Sequence, residues 1–392
     1  MPETVEQEDP HLLSSVVEVH TAFHISRFEK TLAIALFVFY ILVLLLYPNP
    51  LLVIVATMAF ALWLTFRASH LAIDGLESLG AFAGLSAYFI GVLSSLASNT
   101  PEAVVSALTA WRGLVLGNPE LVEIAVLSVV MAAGFNILLL GCVVVISARK
   151  TGFTDVPREV VEDDADLIRW TIVAMALILA FGILHYIHQL INGLTPTLIY
   201  LPWFAGLLMV TSYTLYAIYA LKKKPTTKRI RPEPKHRKST SIILAALGFV
   251  GIFIAGHLLT NVVELTFEFI PWTSIGIQEV QRIVVMALII GAAGALPEHG
   301  IAIVAATKKK ANIAIGNTLG GTTQVLLLIV GGVSIFLPLP LDAAVLLQFA
   351  TAAGSLWFLK QAMTDDKKVD IFEGAMILLM QVFVFYIVLV FV

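Results

Sequence analysis

The chain of 392 residues alternates long apolar stretches with short polar breaks, and most of the stretches share one length. A helix needs about 20 mostly apolar residues to cross roughly 30 Å of hydrocarbon. Windows of that size predict eleven membrane helices, near 31–47, 51–67, 86–110, 120–147, 169–190, 197–221, 241–263, 282–307, 312–337, 341–359 and 371–391. Pro48-Asn49-Pro50 and Pro338-Leu339-Pro340 punctuate the pattern as proline-rich turns do. The apolar run from Leu79 to Trp111 exceeds one simple span, which predicts that its first part lies at the interface. Residues 11–26 alternate apolar and polar groups and predict a surface helix. The opening MPETVEQEDP lacks the basic n-region of a secretory signal.

Composition excludes the other classes. Hydrophobic residues make up 59% of the chain and charged residues 13%, against about 45–50% and about 25% in soluble domains. Mean hydropathy is +0.93. A soluble globular protein and a disordered chain are excluded, and a net charge of −3 leaves no basic surface for nucleic acid. The expected fold is an all-α polytopic membrane protein. The single cysteine, Cys142, excludes a disulfide framework and a cysteine metal site.

Lysine and arginine then set the orientation, because they gather on the cytoplasmic side. With a cytoplasmic N-terminus, the inside segments hold Arg27 and Lys30, Arg67, and Arg149, Lys150, Arg158 and Arg169. They also hold nine cations from Lys222 to Lys238, Lys308 to Lys310, and Lys360, Lys367 and Lys368. Only Arg112 and Arg282 fall outside. The basic stretch 222–239, rich in Pro and Thr, divides the chain as a linker. Residues 1–50 form an N-terminal segment with an extra helix, 51–221 a first set of five helices, and 240–392 a second set. An acidic loop from Asp155 to Asp166 contains Glu159, Glu162, Asp163 and Asp164. It reads as a solvated loop, with a regulatory cation site as the alternative. The linker's charge also suits contact with anionic headgroups.

One internal repeat carries chemistry. Ala97-Ser98-Asn99-Thr100-Pro101-Glu102 aligns with Ala293-Gly294-Ala295-Leu296-Pro297-Glu298. Each Glu stands ten residues before the first cation at its helix end, Arg112 or Lys308. Ten helical residues rise about 15 Å, half the hydrocarbon thickness, so both carboxylates are expected at the midplane. The charge count makes one helix run outward and the other inward, an inverted repeat of the kind found in secondary transporters. Pro101 and Pro297 donate no backbone bond, which frees the carbonyls of Ala97 and Ala293. A broken helix with a free carbonyl beside a carboxylate suits a hard cation, and an intramembrane carboxylate is costly enough to point to function.

The next helix of each half adds polar groups inside apolar sequence. Asn136 stands in Ala-Gly-Phe-Asn-Ile-Leu, and Gly316-Asn317-Thr318-Leu319-Gly320-Gly321-Thr322-Thr323-Gln324 precedes a Val-Leu run. The glycines permit close helix approach. The amides of Asn136 and Gln324 are ligand candidates, with Thr322 and Thr323 beside them.

These residues resemble the calcium/cation antiporter superfamily, whose inverted repeats each carry a Pro-Glu or Asn-x-x-Glu signature followed by a Gly-rich helix. The second repeat is most similar to the cation/proton exchanger branch, through Glu298-His299, the Lys308–Lys310 turn and Gly320-Gly321-Thr322-Thr323-Gln324. The resemblance implies one extra N-terminal helix plus two inverted five-helix repeats, and alternating-access export of Ca2+ in exchange for H+. It departs at Leu127-Ser128-Val129-Val130-Met131-Ala132, where the family has a Gly-rich run, and in its basic rather than acidic linker.

Two carboxylates in one cavity are neutralised by one divalent cation or by two protons, and an empty charged site is costly to move through a low dielectric. That penalty alone yields antiport. Glu102 and Glu298 are expected to bind Ca2+ directly, with Asn99, Asn136, Gln324 and the carbonyls of Ala97 and Ala293 completing the six to eight oxygens that Ca2+ favours. The first copy keeps Ser98 and Asn99 where sodium exchangers of the superfamily carry hydroxyls, but the second has Gly294 and Ala295. This favours H+, with Na+ as the alternative. His299 points about 100° away from Glu298 and reads as a helix contact or proton relay. His185 and His188 share one helix face, as an interfacial or a metal pair. No His-Glu-x-x-His or Ser/His nucleophilic pair supports a membrane enzyme, and no cofactor is implied. A cation channel is the rival class. The expected setting is the plasma membrane, with a homo-oligomer left open.

Overall fold

The computed structural model describes residues 26–391 except 48, 86, 157–164, 195–196, 223–232, 308–310 and 366. The expected surface helix, the acidic loop's Glu159, Glu162, Asp163 and Asp164, and most of the basic linker therefore lie outside the described residues.

The helices are α1 (Arg27–Leu46), α2 (Pro50–Phe82), α3 (Ala87–Leu116), α4 (Pro119–Ala148), α5 (Ala165–Ile191) and α6 (Trp203–Lys222). After the linker come α7 (Lys238–Phe269), α8 (Glu279–Thr307), α9 (Ala311–Gln324), α10 (Val330–Phe336), α11 (Ala343–Asp365) and α12 (Ile371–Phe391). A π-helical turn, Val325–Ile329, joins α9 to α10 without a break, so those two make one span. Each of the eleven expected spans falls on one of these rods. Among the described residues nine are long and apolar enough to cross a membrane. The apolar part of α6, Trp203–Tyr219, is shorter. The other rod outside the nine, α3, carries Ser94, Ser95, Ser98, Asn99, Thr100 and Glu102. The chain is an all-α, multi-pass membrane protein.

Local chemistry sets several ends. Asn49-Pro50 and Asn118-Pro119 start α2 and α4 alike: the amide oxygen accepts from the first free N–H groups, while proline fills the position that needs no donor. Asp342 does the same for α11, its Oδ1 accepting from Val345 N at 2.8 Å. Burial raises the Asp342 carboxyl, although N–H bonds from Val345 and Ala344 pull it the other way.

One boundary differs from expectation. α2 runs on to Phe82 rather than stopping near 67, because its last turns stay packed although they are too polar for lipid. A Cβ on Gly75 or Gly248 would meet the backbone of the facing helix, at Ala245 and Ala72, so α2 and α7 touch main chain to main chain. The charged side of the extension, Asp74 and Glu77, binds Lys235 Nζ at 3.0 and 2.7 Å. Burial lowers the Lys235 ammonium, but the bond to Glu77 and the charges of Glu77 and Asp74 outweigh it and raise it overall. The long run from Leu79 is thus the end of α2, a turn with Gly84 at φ +71°, and α3.

α1 buries only Val43 and packs on α2. In the remaining ten spans, exchanging α2–α6 with α7–α12 maps the packing onto itself. α2 packs on α7, α3 on α8 and α5 on α11. The contact of α4 with α8 matches that of α9 with α3, and α4 with α12 matches α10 with α6. Two main-chain links obey the same exchange. β1 (Phe153–Asp155), before α5, pairs antiparallel with β2 (Lys368–Asp370), before α12, with Thr154 opposite Val369. After α5, Leu201 N donates to Leu339 O at 2.8 Å and Leu341 N to Ile199 O at 2.7 Å, joining the loop before α6 to the loop before α11. These links sit at opposite ends of α5, so equivalent links close opposite ends of the bundle.

Candidate functional site

The most polar helix turns its polar residues inward. Ser95, Asn99, Glu102, Ser106 and Thr109 recur at helical spacing along α3, and all are buried. α8 contributes Glu298, with no exposed surface, against 4% for Glu102. Both prolines lie inside continuous helices. The expected broken helix is therefore corrected: the loss at Pro101 and Pro297 is one N–H donor each, opposite the buried Ala97 and Ala293, and the helical path continues.

Four spans converge here. Asn136 Nδ2, on α4, donates to Glu298 Oε2 at 3.1 Å. Asn99 Nδ2 donates to Gln324 Oε1 at 3.2 Å and reaches Gly321 O at 3.5 Å. Gln324 Nε2 donates back to Val92 O of α3 at 3.2 Å. Two glycines admit the carboxylates. A Cβ on Gly294 would lie 2.7 Å from Glu102 Cγ, and one on Gly321 would overlap Glu298 Oε1. Gly294 and Glu298 are four residues apart and share a face of α8, so Glu102 lies along the face that carries Glu298.

The decisive property is what these oxygens lack. Glu102 Oε1 and Oε2, Glu298 Oε1, Asn99 Oδ1, Asn136 Oδ1 and Ser95 Oγ are all buried without a hydrogen-bond partner. Buried polar groups are normally satisfied, and among the described residues no lysine or arginine pairs with either carboxylate. Asn99 and Asn136 present their N–H groups to neighbours and leave their side-chain carbonyls free.

The sodium/calcium exchanger protein family matches residues 51–222 and 240–392. The chain belongs to that family. It is a transporter family, not one of enzymes. The exchanger resembles the crystal structure of H+/Ca2+ exchanger CAX, with a TM-score of 0.67 at 16% identity over 93% of each chain. It also resembles native YfkE, with a TM-score of 0.64 at 16% identity over 92% of this chain and 99% of that one. The sodium-calcium exchanger NCX_Mj gives 0.55 at 17% identity, covering 84% of this chain and 97% of its own. None of the curated proteins matches the sequence. At such identities the structures share the fold, and the family match places the chain among the calcium/cation antiporters.

The exchanger's other predicted residues lie at varying distance from the free oxygens. Ser98 Oγ donates to Ser95 O, Thr322 Oγ1 to Thr318 O and Thr323 Oγ1 to Gly320 O, each within its own helix. His299 turns away, its Nε2 donating to Phe135 O at 3.1 Å, beside Asn136 in sequence. His185 and His188 have ring centroids 6.5 Å apart, and no group of three His, Cys, Asp or Glu gathers among the described residues. The Gly-rich run missing from α4 is replaced from across the interface, where a Cβ on Gly291 of α8 would lie 2.8 Å from Ser128 O.

Sequence reasoning missed Ser95, although its position one turn before Asn99 was a usable signal. It also missed a reciprocal amide pair, Gln348 with Gln381 at 3.4 and 3.2 Å, fully buried against Gly134. No spacing in the sequence links those three positions.

Proposed function

We propose that the exchanger moves Ca2+ out of the cytoplasm in exchange for H+, by alternating access, with Glu102 and Glu298 binding Ca2+ or protons in turn. The observation that carries this is the set of six partnerless oxygens, which bear two negative charges and match in number the shell of a hard divalent ion. Asn99, Asn136 and Gln324 and the carbonyls of Ala97 and Ala293 belong to the proposed shell, and Ser95 joins them. Burying two bare carboxylates is prohibitive, so the site changes face only when a cation or protons neutralise it.

Protons are favoured over Na+ by the second repeat. Sodium needs extra oxygens, and Gly294 stands where a hydroxyl would be supplied. The 2.7 Å approach to Glu102 leaves no room for a side chain there. The proposed organisation is one extra helix and two inverted five-helix repeats, 51–221 and 240–392, with 222–239 as a cytoplasmic linker. The N-terminus would face the cytoplasm of a plasma membrane, as the charge asymmetry indicates.

The test is Ca2+ flux in proteoliposomes with pH and Na+ gradients imposed separately. Uptake driven by the pH gradient, and lost in Glu102→Gln and in Glu298→Gln, is expected. Uptake driven by Na+ alone would replace the counter-ion, current without any gradient of counter-ion would make the protein a channel, and full transport by either variant would falsify the site.

A further inference from the structure

Several cations among the described residues have a partner. Arg112 pairs with Glu264, Arg282 with Glu120, Arg169 with Asp166, and Lys235 with Asp74 and Glu77. Lys368 lies over the Phe153 ring, 4.1 Å from its centroid. Arg149 and Lys150, at the end of α4, are exposed and form no ion pair with a described residue. They line a cleft of about 360 Å³ together with Ser147, Phe153, Asp155 and Thr307. Ser147 Oγ in that cleft is buried and has no hydrogen-bond partner. The remaining wall is partly apolar, from Ile146 and Ala306.

We infer that this cleft binds the phosphate headgroup of an anionic glycerophospholipid. The place is where α4 and α8 both end, at Ala148 and Thr307. Two cations without an ion pair among the described residues, and a hydroxyl, would face a phosphate there, and the apolar wall would face the glycerol and the first acyl carbons. Basic pockets between membrane helices take such headgroups. Asp155, the carboxylate on the rim, stands opposite Lys368 in the β1–β2 register. The bound lipid would tie together the ends of the helices that carry Asn136 and Glu298. The site holds whichever face is cytoplasmic, and its test reads lipid rather than Ca2+, so it fails or stands apart from the proposed transport.

The full-length protein in phosphatidylcholine nanodiscs is titrated with phosphatidylglycerol, and retained lipid is read by native mass spectrometry. With about fivefold in affinity for each cation near a phosphate, Arg149→Ala with Lys150→Ala should bind phosphatidylglycerol about thirtyfold more weakly. Should the double variant fail to fold, the exposed Lys150→Gln alone should lose about fivefold. Inorganic phosphate, added as a competitor, should not displace the lipid. Equal retention by wild type and variants overturns the site, and displacement by inorganic phosphate overturns the lipid in favour of a soluble anion.

Discussion

At the residue scale, the site is shaped as much by absent side chains as by present ones. Gly320 and Gly321 are neighbours on α9, yet only Gly321 faces Glu298. The nearest atom to a Cβ on Gly320 is Ser95 Oγ at 3.9 Å, an ordinary contact. Gly321→Ala should therefore displace the Glu298 carboxylate and raise the Ca2+ concentration for half-maximal uptake at least about tenfold, the scale on which disturbing a ligand's support lowers metal affinity. Gly320→Ala should transport normally, and equal behaviour of the pair in vesicle uptake would show that α9 does not press on Glu298. Glu102, Glu298, Asn99, Asn136 and Gln324 were legible in the sequence because a polar group is conspicuous in an apolar run. The glycine contacts were not, because a residue without a side chain gives no sign of which neighbour needs the space. The roles of Ser98, Thr322 and Thr323 were equally hidden, since their hydroxyls bond within the helix that bears them.

At the element scale, hydropathy found every rod but misjudged α2, whose last turns are charged on one side and packed against α7 on the other. A window average cannot separate the two sides. Helix starts were marked more reliably, by Asn-Pro twice and by Asp342 before α11. The Asp342 cap also sets a pH dependence. Its carboxyl is raised in the folded protein, so the fold binds the proton more tightly than the unfolded chain does. Stability from this group is then greatest at low pH and declines as pH rises above the unfolded value, near 4. Asp342→Asn keeps the capping oxygen and removes the titration, so its Tm should gain on wild type as pH is raised from about 4 to 8. Asp342→Ala should instead lose about 1 kcal/mol with the cap. A constant gap between Asn variant and wild type across that range would rule out the buried charge as the cause.

At the scale of the whole molecule, the sequence repeat covered six residues, whereas the packing exchange covers ten spans. The helices of the two halves have few sequence positions in common because lipid-facing surfaces accept any apolar residue, while the packing order is constrained. The halves are also fastened to each other at both ends, by β1 with β2 and by the paired loops around Tyr200 and Pro340. Those fastenings are main-chain hydrogen bonds between segments far apart in sequence, and neither uses the linker. Lys235, in the last part of the linker, adds a side-chain tie to α2. Continuity of the peptide through 223–232 is thus unnecessary for holding the bundle together. Residues 1–222 and 233–392, made as separate polypeptides in one cell, should co-purify through a tag on either piece and restore Ca2+ transport that neither gives alone. The exchanger would then be, in assembly terms, a heterodimer whose two subunits happen to be encoded in one reading frame.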